Sequence, residues 1–155
     1  LDSKKDAPSA APIAGSRRLA REAALQILYL MDTCERGIED LPDRAWSEEP
    51  LAPKTRAFAE HIVNGVNSHR ETLDAIIRKY AQNWEMGRMA AIDRCILRMS
   101  AFELLHEVDT PVSVAINEAV EIAKKYSTAE SSKFVNGILD KVKEERSNGG
   151  EAASK

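Results

Sequence analysis

Residues 86–107, MGRMAAIDRCILRMSAFELLHE, decide the fold. Met89, Ile92, Ile96, Leu97, Met99, Ala101, Phe102, Leu104 and Leu105 leave a helix of this register almost no polar side. A helix that is apolar all round has to be buried. The stretch therefore predicts a central helix with others laid around it. Asp93, Arg94 and Arg98 interrupt the apolar surface. Asp93 and Arg94 are expected nearer the surface than Ile92 and Ile96. Asp93 reads either as an internal hydrogen-bonding group or as the counter-charge for a partner's cation.

Helical spacing continues in both directions. Upstream, residues 54–82 carry Phe58, Ile62, Val66, Leu73, Ile76, Ile77 and Tyr80 on one side. NGVNSH, residues 64–69, should divide this block into two helices, since glycine costs about 1 kcal/mol inside one. Residues 38–53 form an acidic connector with Pro42, Pro50 and Pro53. Before it, SRRLAREAALQILYL (16–30) places Leu19, Ala20, Ala23, Ala24, Ile27, Leu30 and Met31 in a buried stripe. Ser16 is the expected N-cap, and Gly37 the left-handed C-cap. Downstream, Asp109 or Thr110 suits an N-cap and Pro111 the first helical position. Asn117 lies between apolar residues and reads as a buried or half-buried hydrogen-bonding group. The last helix runs from Ser131 or Ser132 to Glu145, with Gly137 marking a close backbone approach. No strand period occurs. Residues 1–15 and 146–155 read as a disordered lead and tail, and 16–145 as one all-α domain.

The 155 residues are 43% hydrophobic and 30% charged, with a formal net charge of -3. Whole-chain charge gives no sign of nucleic-acid binding, so its distribution has to be read. Cys34 and Cys95 form no CxxC pair, and His61, His69 and His106 give no metal-ligand spacing. The cysteines read as reduced thiols of a cytoplasmic protein. No apolar run reaches the roughly 20 residues of a membrane span. No nucleophile motif, zinc motif or glycine-rich phosphate loop is present. The expectation is a non-enzyme without cofactor or metal.

Two patterns point to a ligand. Arg17, Arg18 and Arg21 open the first helix, with no acid in its first turn. The positive end of the helix dipole disfavours them there, so they read either as solvated charge or as groups kept for an anion. Lys133 and Phe134 follow two serines at the start of the last helix. That pair reads either as core and surface, or as a phosphate contact beside a base-stacking ring.

Taken together, RRLAREAALQILY (17–29), IDRCILRMSAFELL (92–105), PVSVAINEAVEIAKKY (111–126) and SKFVNGILDK (132–141) resemble the NusB family of transcription antitermination factors, in order and spacing. The resemblance spans about residues 16–143. It implies a compact bundle of about seven helices in two packed subgroups, without catalytic activity. It also implies binding to boxA single-stranded RNA of ribosomal RNA leaders, together with NusE, a small-subunit ribosomal protein, in an antitermination complex on RNA polymerase. By the same resemblance Arg17, Arg18, Arg21, Tyr80, Lys133 and Phe134 are RNA contacts, and Asp93 and Glu103 are NusE contacts. Phe102 stands where the family often has tyrosine, and Lys4 and Lys5 are set apart from Arg17 by a Pro/Ala stretch. The competing readings are a helical protein-interaction module, with homodimerisation in the free state as one form of it, and an RNA-recruiting domain of an rRNA methyltransferase.

Overall fold

The computed structural model describes residues 13–47, 50–81 and 88–153, with side chains from residue 17 to residue 146 within those ranges. The helices are α1 (Ile13–Cys34), α2 (Pro53–Ser68), α3 (Arg70–Tyr80), α4 (Ala91–His106), α5 (Val112–Tyr126) and α6 (Ala129–Ala153). Among the described residues there is no strand. Among the described residues the α-helices number six rather than about seven. The prolines of the connector remove helix-forming N–H groups, and its described residues hold the 3-10 turns Ile38–Asp40 and Asp43–Ala45.

The central helix is where the sequence puts it. α4 touches each of the other five helices, with α1–α3 and the α5–α6 hairpin forming the two groups around it. Cys95, Ile96, Leu97, Met99, Ala101, Phe102 and Leu104 are all buried. Burying each large apolar side chain contributes about 1.5–3 kcal/mol. The α2–α3 break falls at His69, the last residue of the expected segment 64–69, with Gly65 inside α2. Gly65 stays helical because the Phe102 ring lies on it; a Cβ there would come within 2.1 Å of the ring. All three histidines of the chain also gather around this ring, with centroids 5.7 Å (His61), 6.0 Å (His69) and 5.4 Å (His106) away.

Several local expectations are corrected. α1 begins at Ile13, so Ser16 lies inside it; nothing in the intervening residues opposes helix strongly enough to stop it there. The left-handed residue after α1 is Glu35 (φ 53°), while Gly37 is extended. Leu19 is exposed, and the stripe is completed by Leu25 and Leu28. Asn117 and Gly137 both face outward, because Ala115, Ile116 and Ala119, and Val135, Ile138 and Leu139, fix the buried faces of their helices. No atom lies within 4 Å of a Cβ built on Gly137. α6 starts at Ala129, capped by the Thr128 hydroxyl, which accepts the Ser131 N–H at 2.8 Å. It runs past Glu145, where Arg146 donates to the carbonyls of Val108 and Thr110 and docks the next turn. The lead expected over residues 1–15 lies outside the described residues as far as residue 12, and the tail does so from residue 154.

Charge also ties the helices together. Arg21 and Glu103 are 4% and 2% exposed and form two bonds to each other, at 2.7 and 2.8 Å. They join α1 to α4. The sequence reading gave Arg21 to RNA and Glu103 to NusE; burial and mutual pairing instead turn both side chains inward. A second group links α1, α3 and α4. Arg94 donates to Asp32 at 2.7 Å, Arg98 to Asp74 at 2.7 and 3.1 Å, and Arg70 to Asp32 at 3.3 Å. Burial pushes the Asp32 pKa up, but the Arg94 hydrogen bond and the charges of Arg94, Arg98 and Arg70 outweigh it and hold it below the usual value.

Three outcomes follow from this packing. Gly65→Ala should cost about 1–3 kcal/mol by overpacking, read by urea denaturation, and Phe102→Leu in the same chain should return part of the loss. Arg21→Ala should cost about 3–5 kcal/mol by leaving Glu103 buried and unpaired, whereas the double change Arg21→Met, Glu103→Leu should be close to neutral. A depressed carboxylate pKa gives stability that is whole above the unfolded value, near pH 4, and drains away as pH falls through the folded value. Asp32→Asn should therefore lower stability at neutral pH and flatten the loss below about pH 4, as followed by thermal melts across pH.

Candidate nucleic-acid interface

The first turns of α1 set three arginines against three different neighbours. The Arg17 guanidinium carbon sits 3.9 Å from the centroid of the Phe58 ring of α2, and Arg17 remains exposed. A guanidinium over a ring face is held there by the ring's quadrupole. Arg18 makes a two-pronged pair with Glu118 of α5, its Nη2 donating to Oε2 at 2.8 Å. That hydrogen bond, against the opposing effect of burial, holds the Glu118 carboxyl below its usual range. Arg21, one turn deeper, is closed into the pair with Glu103. Beside them an open cleft of about 330 Å³ is lined by Arg17, Arg21, Asp109, Thr110, Val114 and Glu118.

Tyr80 ends α3, half-buried against the core. Its hydroxyl donates to Glu145 Oε2 at 2.6 Å, and the Lys79 ammonium donates to the same oxygen at 2.7 Å. In the next position of α6, Arg146 holds the carbonyl of Thr110, which lines the arginine cleft. Successive residues of α6, Glu145 and Arg146, thus contact the end of α3 and the Thr110 carbonyl beside the arginine cleft.

Lys133 and Phe134 sit elsewhere. Lys133 is exposed, and Phe134 is half-buried against the core. Arg21 meets α4 at Glu103, while Ser131 meets it at Asp93. Those levels are ten residues apart on α4, about 15 Å at 1.5 Å per residue. The structure therefore separates Lys133 and Phe134 from the arginines. It connects them along α6: Phe134, Lys141 and Glu145 fall within about 40° around the helix axis, over about 16 Å.

Asp93 is 7% exposed, more buried than Ile92, which corrects its expected surface position. Its Oδ2 accepts the Ser131 hydroxyl at 2.9 Å. Its Oδ1 meets no hydrogen-bond donor among the described residues. Asp93 is buried because α6 begins over the first turn of α4 and supplies that hydroxyl.

Sequence reading missed Phe58, Lys79, Glu118 and Glu145. Each acts through a residue distant in sequence, and only the basic last turn of α3, Arg78-Lys79, offered a local signal. Among the described residues no group of three or more histidine, cysteine, aspartate or glutamate side chains could hold a metal ion, and no helix is long and apolar enough to cross a membrane.

Comparison with known proteins places this arrangement in a family. Residues 18–144 match the model of the NusB family. The transcription antitermination protein NusB of Elusimicrobium minutum is 46% identical over 137 residues, covering 87% of this chain and 98% of its own. The protein of the same name from an Anaeromyxobacter species is 49% identical over 127 residues, covering 81% and 88%. Among solved structures, T. maritima NusB superposes with a TM-score of 0.76 at 35% identity, covering 83% of this chain and 91% of that one. NusB from a complex of the antitermination factors NusB and NusE with double-stranded RNA superposes with a TM-score of 0.77 at 25% identity, covering 85% and 98%. The helical order, the extent of the match and the identities agree: this chain belongs to the NusB family.

Proposed function

We propose that the protein is an RNA-binding transcription antitermination factor that binds the boxA element of ribosomal RNA leaders together with NusE and joins the antitermination complex on RNA polymerase in the cytoplasm. The observation that carries this reading is that cations stand beside rings at three places: Lys133 beside Phe134 at the start of α6, Lys79 beside Tyr80 at Glu145 of the same helix, and Arg17 on Phe58 at α1. Rings give unstacked bases a face to stack on, and cations follow the phosphates. The NusB relative that was solved with NusE and RNA supports both partners. In this reading Arg17 and Arg18 contact phosphate, Tyr80 and Phe134 stack on bases, and Lys133 adds a phosphate contact. Arg21 acts from inside, as the group that fixes α1 against α4. Asp93 is the NusE contact in this reading, while Glu103 serves through Arg21.

A second reading has an observation of its own. Arg17, Arg18 and Arg21 all have partners within the chain, as they would in a protein-interaction module with no RNA ligand. A homodimer of the free protein that covers the arginine surface belongs to the same alternative.

Fluorescence anisotropy with a short boxA RNA and a scrambled RNA, at two salt concentrations, with and without NusE, separates the two. Antitermination predicts preference for boxA that sharpens with NusE. The double variant Arg17→Ala, Arg18→Ala should weaken binding and reduce the log–log salt slope by about 1.4, at about 0.7 per lost phosphate contact on a single strand, with unchanged helical circular dichroism. Equal weak binding to both RNAs, indifferent to NusE, would leave the protein-interaction module.

A further inference from the structure

We propose that Lys79 is a further RNA-phosphate contact, and that in the free protein Glu145 holds it as a stand-in for the phosphate, so that RNA docks at this point by displacing the Glu145 carboxylate. The inference rests on the RNA-binding reading above. One carboxylate oxygen, Glu145 Oε2, accepts from both the Lys79 ammonium (2.7 Å) and the Tyr80 hydroxyl (2.6 Å). A cation and a hydroxyl converging on one anionic oxygen are the donors that a phosphate oxygen takes from a protein. The geometry is thus already set for an anion, and a side chain of the chain itself fills it.

The contact is also easy to exchange. The Lys79 and Glu145 side chains are 60% and 24% exposed. Exposed ion pairs contribute little to stability, and a freed glutamate returns to water. The end of α6 does not need this pair to stay docked, because Arg146 ties the same turn to Val108 and Thr110. Glu145 shares a face of α6 with Phe134 and Lys141, and the next residue, Arg146, holds Thr110, which lines the arginine cleft. A strand stacked on Tyr80 comes beside Lys79, and Glu145 would repel it unless displaced.

Glu145→Gln tests this, since glutamine keeps the length and an acceptor for Tyr80 while removing the charge. Affinity for boxA RNA should rise about two- to fivefold, the ratio an exposed ion pair can supply. The salt slope should steepen by up to about 0.7. The gain should vanish when Lys79→Ala is also present, with thermal melts confirming that every variant is folded. Unchanged or weaker binding by Glu145→Gln, while Arg17→Ala, Arg18→Ala still weakens binding, would overturn the displacement and leave the RNA reading standing. A gain that persists without Lys79 would also overturn it, as a general effect of net charge. Failure of the unaltered protein to bind either RNA would remove both proposals together.

Discussion

The two hydrogen bonds between Arg21 and Glu103 set the terms for the rest of the molecule. α4 carries apolar side chains around most of its circumference and is therefore forced into the middle, where a charged glutamate is expensive. Only a cation with matching geometry can make that burial tolerable, and a guanidinium gives the carboxylate two parallel donors. The requirement fixes α1 against α4 in rotation and in height. Arg17 and Arg18, one turn earlier, then project where α2 offers Phe58 and α5 offers Glu118. The outer surface of α1 is in this sense a consequence of a constraint inside the core.

The helix dipole does not bear on these arginines: α1 begins at Ile13, so Arg17 and Arg18 lie in its second turn and Arg21 in its third, beyond the first turn where the dipole acts. Carboxylates from α4 and α5 hold two of them, so their clustering near the start of α1 is not in itself evidence of a ligand. Exposure separates the roles: Arg21 is enclosed, Arg18 is partly covered, and Arg17 lies open on a ring.

The sequence made α4 legible because no amphipathic pattern competes with burial on all sides. The division of residues 54–82 into two helices was legible too, although Gly65 was given the wrong job. It permits the approach of Phe102 from α4, a contact 37 residues away that no local rule can see. Asn117, Gly137 and Leu19 failed for a different reason. At 100° per residue each lies well away from the buried face of its helix, and residue type was followed where helical spacing already pointed outward. The site residues divide in the same manner. Residue type marked Arg17, Arg18, Lys133 and Phe134 as suited to RNA, and the family resemblance added Tyr80. It could not show that Arg21 and Glu103 choose each other, since pairing across 82 positions leaves no trace in spacing.

An interface built from paired cations binds by exchange, and the depth of each pair decides which can take part. Opening Arg21 from Glu103 would strand a carboxylate in the core, at a cost of several kcal/mol that one phosphate contact cannot return. Separating Lys79 from Glu145, at the surface, returns both groups to water at little cost. Arg18 with Glu118 is intermediate, at 37% and 21% exposure. An incoming polyanion therefore meets a graded set of cations. It can take the outer ones while the innermost pair keeps α1 in place, and binding need not loosen the helix that presents the arginines.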